Sequence, residues 1–372
     1  MPAGIYVHIP FCLAKCPYCD FYSIVGDKSL IDIYAKALLT EIDILAKSKW
    51  KDRVYNSIYI GGGTPPLLGD KNIADLLHTL RQNFNISPRS EITIEINPET
   101  ASPAFFESMP AAGVNRVSIG AQSFDDNLLK TLGRIHTAET ASLAVDRAIA
   151  AGFANVSIDL MFGIPGQTMA VWQDTLAQAI GKNPKHVSAY CLTIEKDTPF
   201  DKLVKSGELN LLSNEIQAEM YSFMNETLSA AGLKRYEVSN FAQTGFECRH
   251  NFKYWKDDKY VGLGPAAHSY DGERRTANFK NFDKYLFALE KGKLPINFKE
   301  SLDDKQRAEE RLLLGLRLAD GVEYNLVRDI INDKQLAEFI KQSYISKKIN
   351  KIALTDKGFL MADDVIVKLL KG

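Results

Sequence analysis

Cysteine is scarce in this chain, with five residues among 372, and the odd count argues against a disulfide framework. Charge of one sign is missing too. Forty-five Lys and Arg face 46 Asp and Glu, a formal net charge of −1, so there is no global electrostatic footprint for nucleic acid. No run of about 18 apolar residues occurs, which excludes a membrane span read from hydropathy. The opening MPAGIYVHIPFC has neither a basic leader nor a long apolar core, and the chain reads as cytoplasmic. Internal repeats and low-complexity tracts are absent as well. What remains is the composition of an ordinary globular protein, 45% hydrophobic and 24% charged. At roughly 150 residues per domain the length suggests two to three units.

Short β-rich runs alternate with amphipathic stretches, the pattern of a parallel sheet with crossover helices. The runs are Ile5 to Ile9, Ser57 to Ile60, Glu91 to Ile96, Arg116 to Gly120, Val156 to Met161 and Val187 to Leu192. Helical periodicity covers Leu30 to Ala46, Lys71 to Phe84, Pro103 to Ala112, Ala138 to Ala151 and Met169 to Ile180. Ser102 and Thr137 are helix-start signals, and Gly113 and Gly152 sit where helices should stop. Six β/α units fit an open, incomplete barrel or a doubly wound sheet, and chain order alone does not separate them. Either fold gathers its chemistry at the carboxyl ends of the strands. The expected division is an α/β partial (β/α)6 barrel over 1–195, an aromatic-rich continuation over 196–281, and a small α+β, mainly helical and winged C-terminal domain over 282–372.

Three of the five cysteines, Cys12, Cys16 and Cys19, crowd into the eight residues CLAKCPYC just after the first strand, while Cys191 and Cys248 stand alone far downstream. Three thiolates at C-x3-C-x2-C can wrap a compact inorganic core. A structural zinc would want a fourth protein ligand, recruited from Cys191, Cys248, His8 or Asp20 by long-range folding. A [4Fe–4S] cluster held by only three cysteines would keep one iron free of protein ligands, which is a place for chemistry. Spacing favours iron–sulfur and leaves zinc open.

CLAKCPYC after a barrel strand resembles the signature of radical S-adenosylmethionine enzymes, in which the cofactor chelates that free iron. IYVHIPFC, GGGTP, IEINPE, RVSIGAQSF, LGRIHT and DLMFGIPGQT follow in the order seen in oxygen-independent coproporphyrinogen III oxidases and their relatives. The resemblance implies a radical-SAM barrel with a [4Fe–4S] cluster on Cys12, Cys16 and Cys19 and S-adenosylmethionine beside it. By it, Gly62 and Gly63 let the backbone approach the cofactor's methionine end, with Thr64 next to them. Glu95 holds ribose hydroxyls or an ammonium, Asp159 accepts from ribose, Gln122 faces the same mouth, Arg134 pairs with the cofactor carboxylate, and Tyr6 and Tyr18 pack on the cofactor.

The resemblance covers two activities, radical decarboxylation of coproporphyrinogen III and heme carriage. The oxidases carry a further cysteine two residues after the third, where this chain has Phe21, and an N-terminal extension over the substrate for which four residues before the first strand leave little room. HNFKYW, His250 to Trp255, matches the HNxxYW motif of the heme chaperones. There His250 offers an imidazole to heme iron and Tyr254 and Trp255 offer flat apolar surface. His268 and Cys248 are the next candidates for the ligand. The reading is therefore a heme carrier, with no catalytic residue assigned, that serves recipient hemoproteins. Homodimerisation and peripheral membrane association through partners stay open at this point, as does the oxidase alternative.

Overall fold

The computed structural model describes residues 2–371. Six strands, β1 (Ala3–Ile9), β2 (Val54–Gly62), β3 (Asn85–Ile96), β4 (Arg116–Gln122), β5 (Asn155–Phe162) and β6 (His186–Cys191), pair parallel and in chain order. That order decides between the two expected folds. A doubly wound sheet reverses direction partway, whereas six sequential strands with their helices on one side make an incomplete barrel. The helices fall where the periodicity puts them, at Lys28–Leu45, Asp70–Asn83, Pro103–Ala112, Ala138–Ala150 and Met169–Gly181. Ser102 and Thr137 cap their helices by accepting from Phe105 N and Thr140 N, and Gly113 ends its helix in the left-handed conformation.

Side chains alternate across each strand, and the two faces differ in kind. Ile58, Ile60, Ile92, Ile94, Val117, Ile119, Val156 and Ile158 are buried in the main hydrophobic core. The intervening positions carry Tyr59, Glu95, Arg116, Ser118, Asp159 and Ser188, all of which line one cavity on the opposite face. The aliphatic face holds the helices. The polar face is the inside of the barrel.

Four more strands extend the β1 edge and two the β6 edge. On the β6 side are β7 (Lys234–Arg235) and β8 (Asn240–Ala242); on the β1 side are β9 (Tyr260–Leu263), β10 (His268–Tyr270), β11 (Arg274–Asn278) and β12 (Ile296–Ser301), with β9 parallel to β1. Buried Glu41 ties this extension to the first helix, accepting from Gly264 N at 2.8 Å, Asn278 Nδ2 at 2.7 Å and Tyr285 OH at 2.7 Å. The boundary expected at 282 moves accordingly: Phe282, Tyr285 and Leu289 pack in the main core, and β12 belongs to the main sheet. A second core runs from Leu312 to Leu369, where β13 (Val322–Glu323), β14 (Ile345–Lys348) and β15 (Lys351–Leu354) form an antiparallel wing beside the helices Asp304–Gly315, Asp333–Lys341 and Ala362–Leu369. Among the described residues no helix is long and apolar enough to cross a membrane.

Candidate cofactor site and the cavity beside it

The loop after β1 is closed at its base. Ile24 N donates to Pro10 O at 2.7 Å and Cys12 N to Ile24 O at 3.1 Å, while buried Phe11 packs on Tyr34 and Phe282. The lobe above presents Cys12, Cys16 and Cys19, all partly exposed, to one cavity of about 380 Å³ at the carboxyl ends of the strands. Burial pushes the Cys19 thiol up, and the neighbouring Cys16 and Cys12 thiols add to it, a repulsion that a cationic inorganic core would relieve. Four ligands of one zinc would stand within roughly 4 Å of one another. Among the described residues no three His, Cys, Asp or Glu side chains are gathered at single-ion spacing. The three thiols line one cavity, and a cluster of several irons takes its ligands from such a set.

Glu95 is half-buried on the cavity wall and accepts from Tyr59 OH at 2.7 Å and Gly62 N at 3.0 Å. Burial, reinforced by the Asp159 carboxylate, pushes Glu95 up to about 7 against those two hydrogen bonds. Asp159 accepts from Ser118 Oγ at 2.8 Å and Ser157 Oγ at 3.0 Å, and its burial likewise raises it. Arg134 reaches across the mouth: Nη1 lies 3.7 Å from Cys16 Sγ, Nη2 donates to Asn97 Oδ1 at 2.9 Å, and Nε has no partner. The buried Arg116 on the same wall also has an unpartnered Nε. Two carboxylates with acceptor capacity to spare and two guanidinium groups with a free donor fit a ligand that carries hydroxyls, an ammonium and a carboxylate, as S-adenosylmethionine does.

Tyr18, Gly62, Gly63, Glu95, Gln122, Arg134 and Asp159 line this cavity together with the three cysteines. Gln122 sits at an irregular register of β4 with φ +64°, a left-handed conformation a side chain rarely adopts and one that clusters at functional sites. The glycines act differently from expectation. Gly62 N is bonded to Glu95 and Gly63 N to Ile9 O at 2.7 Å, so neither amide is free for a ligand. Their purpose is close packing: a Cβ at Gly63 would stand 2.5 Å from Phe11 O and 3.0 Å from Cys12 Sγ. Thr64 is buried, accepts from Asn97 Nδ2 at 3.0 Å and faces a small crevice beside Arg134, off the main cavity.

Two expected residues lie elsewhere. Tyr6 lines a second cavity, and its hydroxyl meets His8 Nδ1 at 3.0 Å. His250 is fully buried, with Nδ1 against Ser57 Oγ and Nε2 against Tyr254 OH, both at 3.0 Å. Burial, with Lys253 nearby, pushes it down to about 3, and it has no ring nitrogen to offer an iron in this conformation. Cys248 is equally buried, its thiol on Glu91 and pushed up to about 12, and Cys191 bonds Gln217 Oε1 at 3.1 Å. Tyr59, Asn97, Arg116, Ser118, Ser188 and Asn251 were not anticipated. Polar residues at every second position of otherwise aliphatic strands were the available signal for most of them.

The Radical SAM superfamily model matches residues 6–179. Heme chaperone HemW of Mycobacterium tuberculosis is 37% identical over 374 residues, covering 99% of this chain and 95% of that protein. The chain belongs to the HemW family of heme chaperones. HemW of Bacillus subtilis is 34% identical, with 97% of each chain covered. Among solved structures, coproporphyrinogen III oxidase (HemN) of Escherichia coli superposes with a TM-score of 0.85 at 23% identity, over 99% of this chain and 89% of that one, and this likeness shows the shared fold. Membership of the radical SAM superfamily brings a [4Fe–4S] cluster and S-adenosylmethionine, the two groups for which the cavity has the donors.

Proposed function

We propose that this protein holds heme and hands it to hemoproteins on a scaffold that carries the cluster and S-adenosylmethionine. The observation that carries the reading is the likeness to heme chaperones along the whole chain, 99% of it at 37% identity. Cys12, Cys16 and Cys19 would hold the cluster, and with only three thiolates it would keep an iron for S-adenosylmethionine. Glu95, Asp159 and Arg134 orient the cofactor's polar groups, with Tyr18 and Gln122 beside them. The protein works in the cytoplasm and meets a membrane only through its recipients.

Purified full-length protein titrated with hemin should saturate near one per chain and pass the heme to an apo-hemoprotein, with gel filtration before and after loading reporting any dimer. With reductant and S-adenosylmethionine present it should leave coproporphyrinogen III unchanged. Turnover of that porphyrinogen without heme binding would replace the carrier by an enzyme.

A further inference from the structure

The second cavity, about 360 Å³, is lined by residues of β1, β9 and β10, where β9 pairs with β1 and β10 with β9, and it shares Phe21 with the cofactor cavity. Phe21, 64% exposed, lines both. Its walls are aromatic, with Tyr6, Tyr22, Tyr254 and Tyr260, the kind of surface on which a flat macrocycle stacks. Its rim is open, because Phe21, Asp20, His268 and Lys280 are exposed. A heme lodged there would keep one edge in solvent, as cargo to be handed on requires.

The six histidines sort cleanly. His8, His136, His186 and His250 have both ring nitrogens engaged by protein groups at 2.8 to 3.1 Å. His78 stands exposed on the helix Asp70–Asn83, away from any cavity described. His268 alone, among the described residues, joins a cavity wall to a ring that no protein group bonds. The backbone is shaped to put it there. A Cβ at Gly262 would fall 2.2 Å from His268 O, so only glycine lets β10 fold this closely on β9, and Ala266 takes φ +61° in the turn between them. Lys280 sits on the same rim with no ion-pair partner among the described residues.

His250 gains a different part from its contacts. Its Nε2 bonds the hydroxyl of Tyr254, which lines the second cavity, while Asn251 from the same helix, Asn251–Trp255, lines the first. The motif helix is thus a wall shared by two chambers.

Resting on the heme-carrier reading, we propose that heme enters this second cavity with His268 as the protein ligand of its iron and Lys280 as the partner of a propionate, while His250 is a positioning residue that acts through Tyr254. Imidazole is a common axial ligand, and an ammonium suits a carboxylate at an open rim.

The test uses full-length protein and hemin, read by the Soret spectrum and by titration. His268→Ala should move the Soret band and weaken binding at least tenfold, His268→Gln should do the same, and free imidazole should restore the band position in His268→Ala. His250→Ala should bind several-fold more loosely with the band where the wild type has it. Lys280→Glu should weaken hemin more than its dimethyl ester. Wild-type spectrum and affinity in both His268 variants would overturn the proposal and leave the carrier standing. Failure of the wild-type protein to bind hemin would bring down the carrier reading itself.

Discussion

Replacing Cys16 by alanine is expected to strip the protein of nearly all its iron and sulfide while leaving its fold in place. A cubane held by three thiolates has no spare ligand, so losing one leaves two iron corners without protein contact. No substitute is within reach. Cys191 bonds Gln217 beside a separate groove, and Cys248 is buried against Glu91 with its thiol pushed up to about 12, which keeps it protonated and a poor ligand. The fold should persist because the loop is closed by Pro10, Cys12 and Ile24 backbone bonds and by Phe11 in the core, none of which needs the Cys16 side chain. Anaerobic reconstitution followed by iron and sulfide analysis should give about four of each per wild-type chain and close to none for Cys16→Ala, with matching far-ultraviolet circular dichroism. Cys191→Ala and Cys248→Ala should keep their metal. Stoichiometric zinc without sulfide, or a Cys16→Ala protein with a full cluster, would refute the assignment.

The six strands and the helices between them were legible because a parallel sheet needs aliphatic residues on the helix-facing side of every strand, and caps such as Ser102 and Thr137 are local chemistry. The sheet extension was not. β12, INFKES, shows one intermediate or exposed residue after another, and its pairing with β11 depends on contacts made by the chain before it. The cofactor cavity divides the same way. Clustered cysteines and glycines announce themselves, whereas Arg116 and Ser118 sit in RVSIG as the polar half of an alternation that could equally face water. The contacts of His250 were hidden for a related reason: Ser57, which engages its Nδ1, lies 193 residues away, and Tyr254 engages the other nitrogen only because the five-residue helix forms. A sequence shows which residues can bind a metal, and tertiary packing decides which of them still have a nitrogen to give.

Glu95→Gln should lower the affinity of the cofactor cavity for adenosine-bearing ligands by roughly 10- to 100-fold at pH 8, the worth of one hydrogen bond to a charged group. In the ligand-free protein burial pushes this carboxyl up to about 7, whereas an unfolded chain would titrate it near pH 4.3. Folding stability from this group is therefore full below about pH 4.3 and is lost as the pH climbs through about 7. A ligand that donates hydroxyls to the carboxylate reverses the preference, since it binds the ionised form. Affinity should then rise about tenfold between pH 6 and 8, as the ionised fraction grows from about a tenth to about nine-tenths. S-adenosylmethionine is a poor probe of this, because its own α-amino group titrates near 8. 5′-Methylthioadenosine lacks the α-amino and carboxylate groups of the methionine end and reports the nucleoside contacts alone. Calorimetric titration of the reconstituted protein with it should show the rise in the wild type and in Asp159→Asn, whose midpoint should lie lower because the Asp159 carboxylate no longer helps to raise Glu95. Glu95→Gln should be weak and flat across the range, because an amide does not ionise. A pH dependence that survives in Glu95→Gln would move the titrating group to Asp159, and unchanged affinity at pH 8 would take Glu95 out of the cofactor's reach.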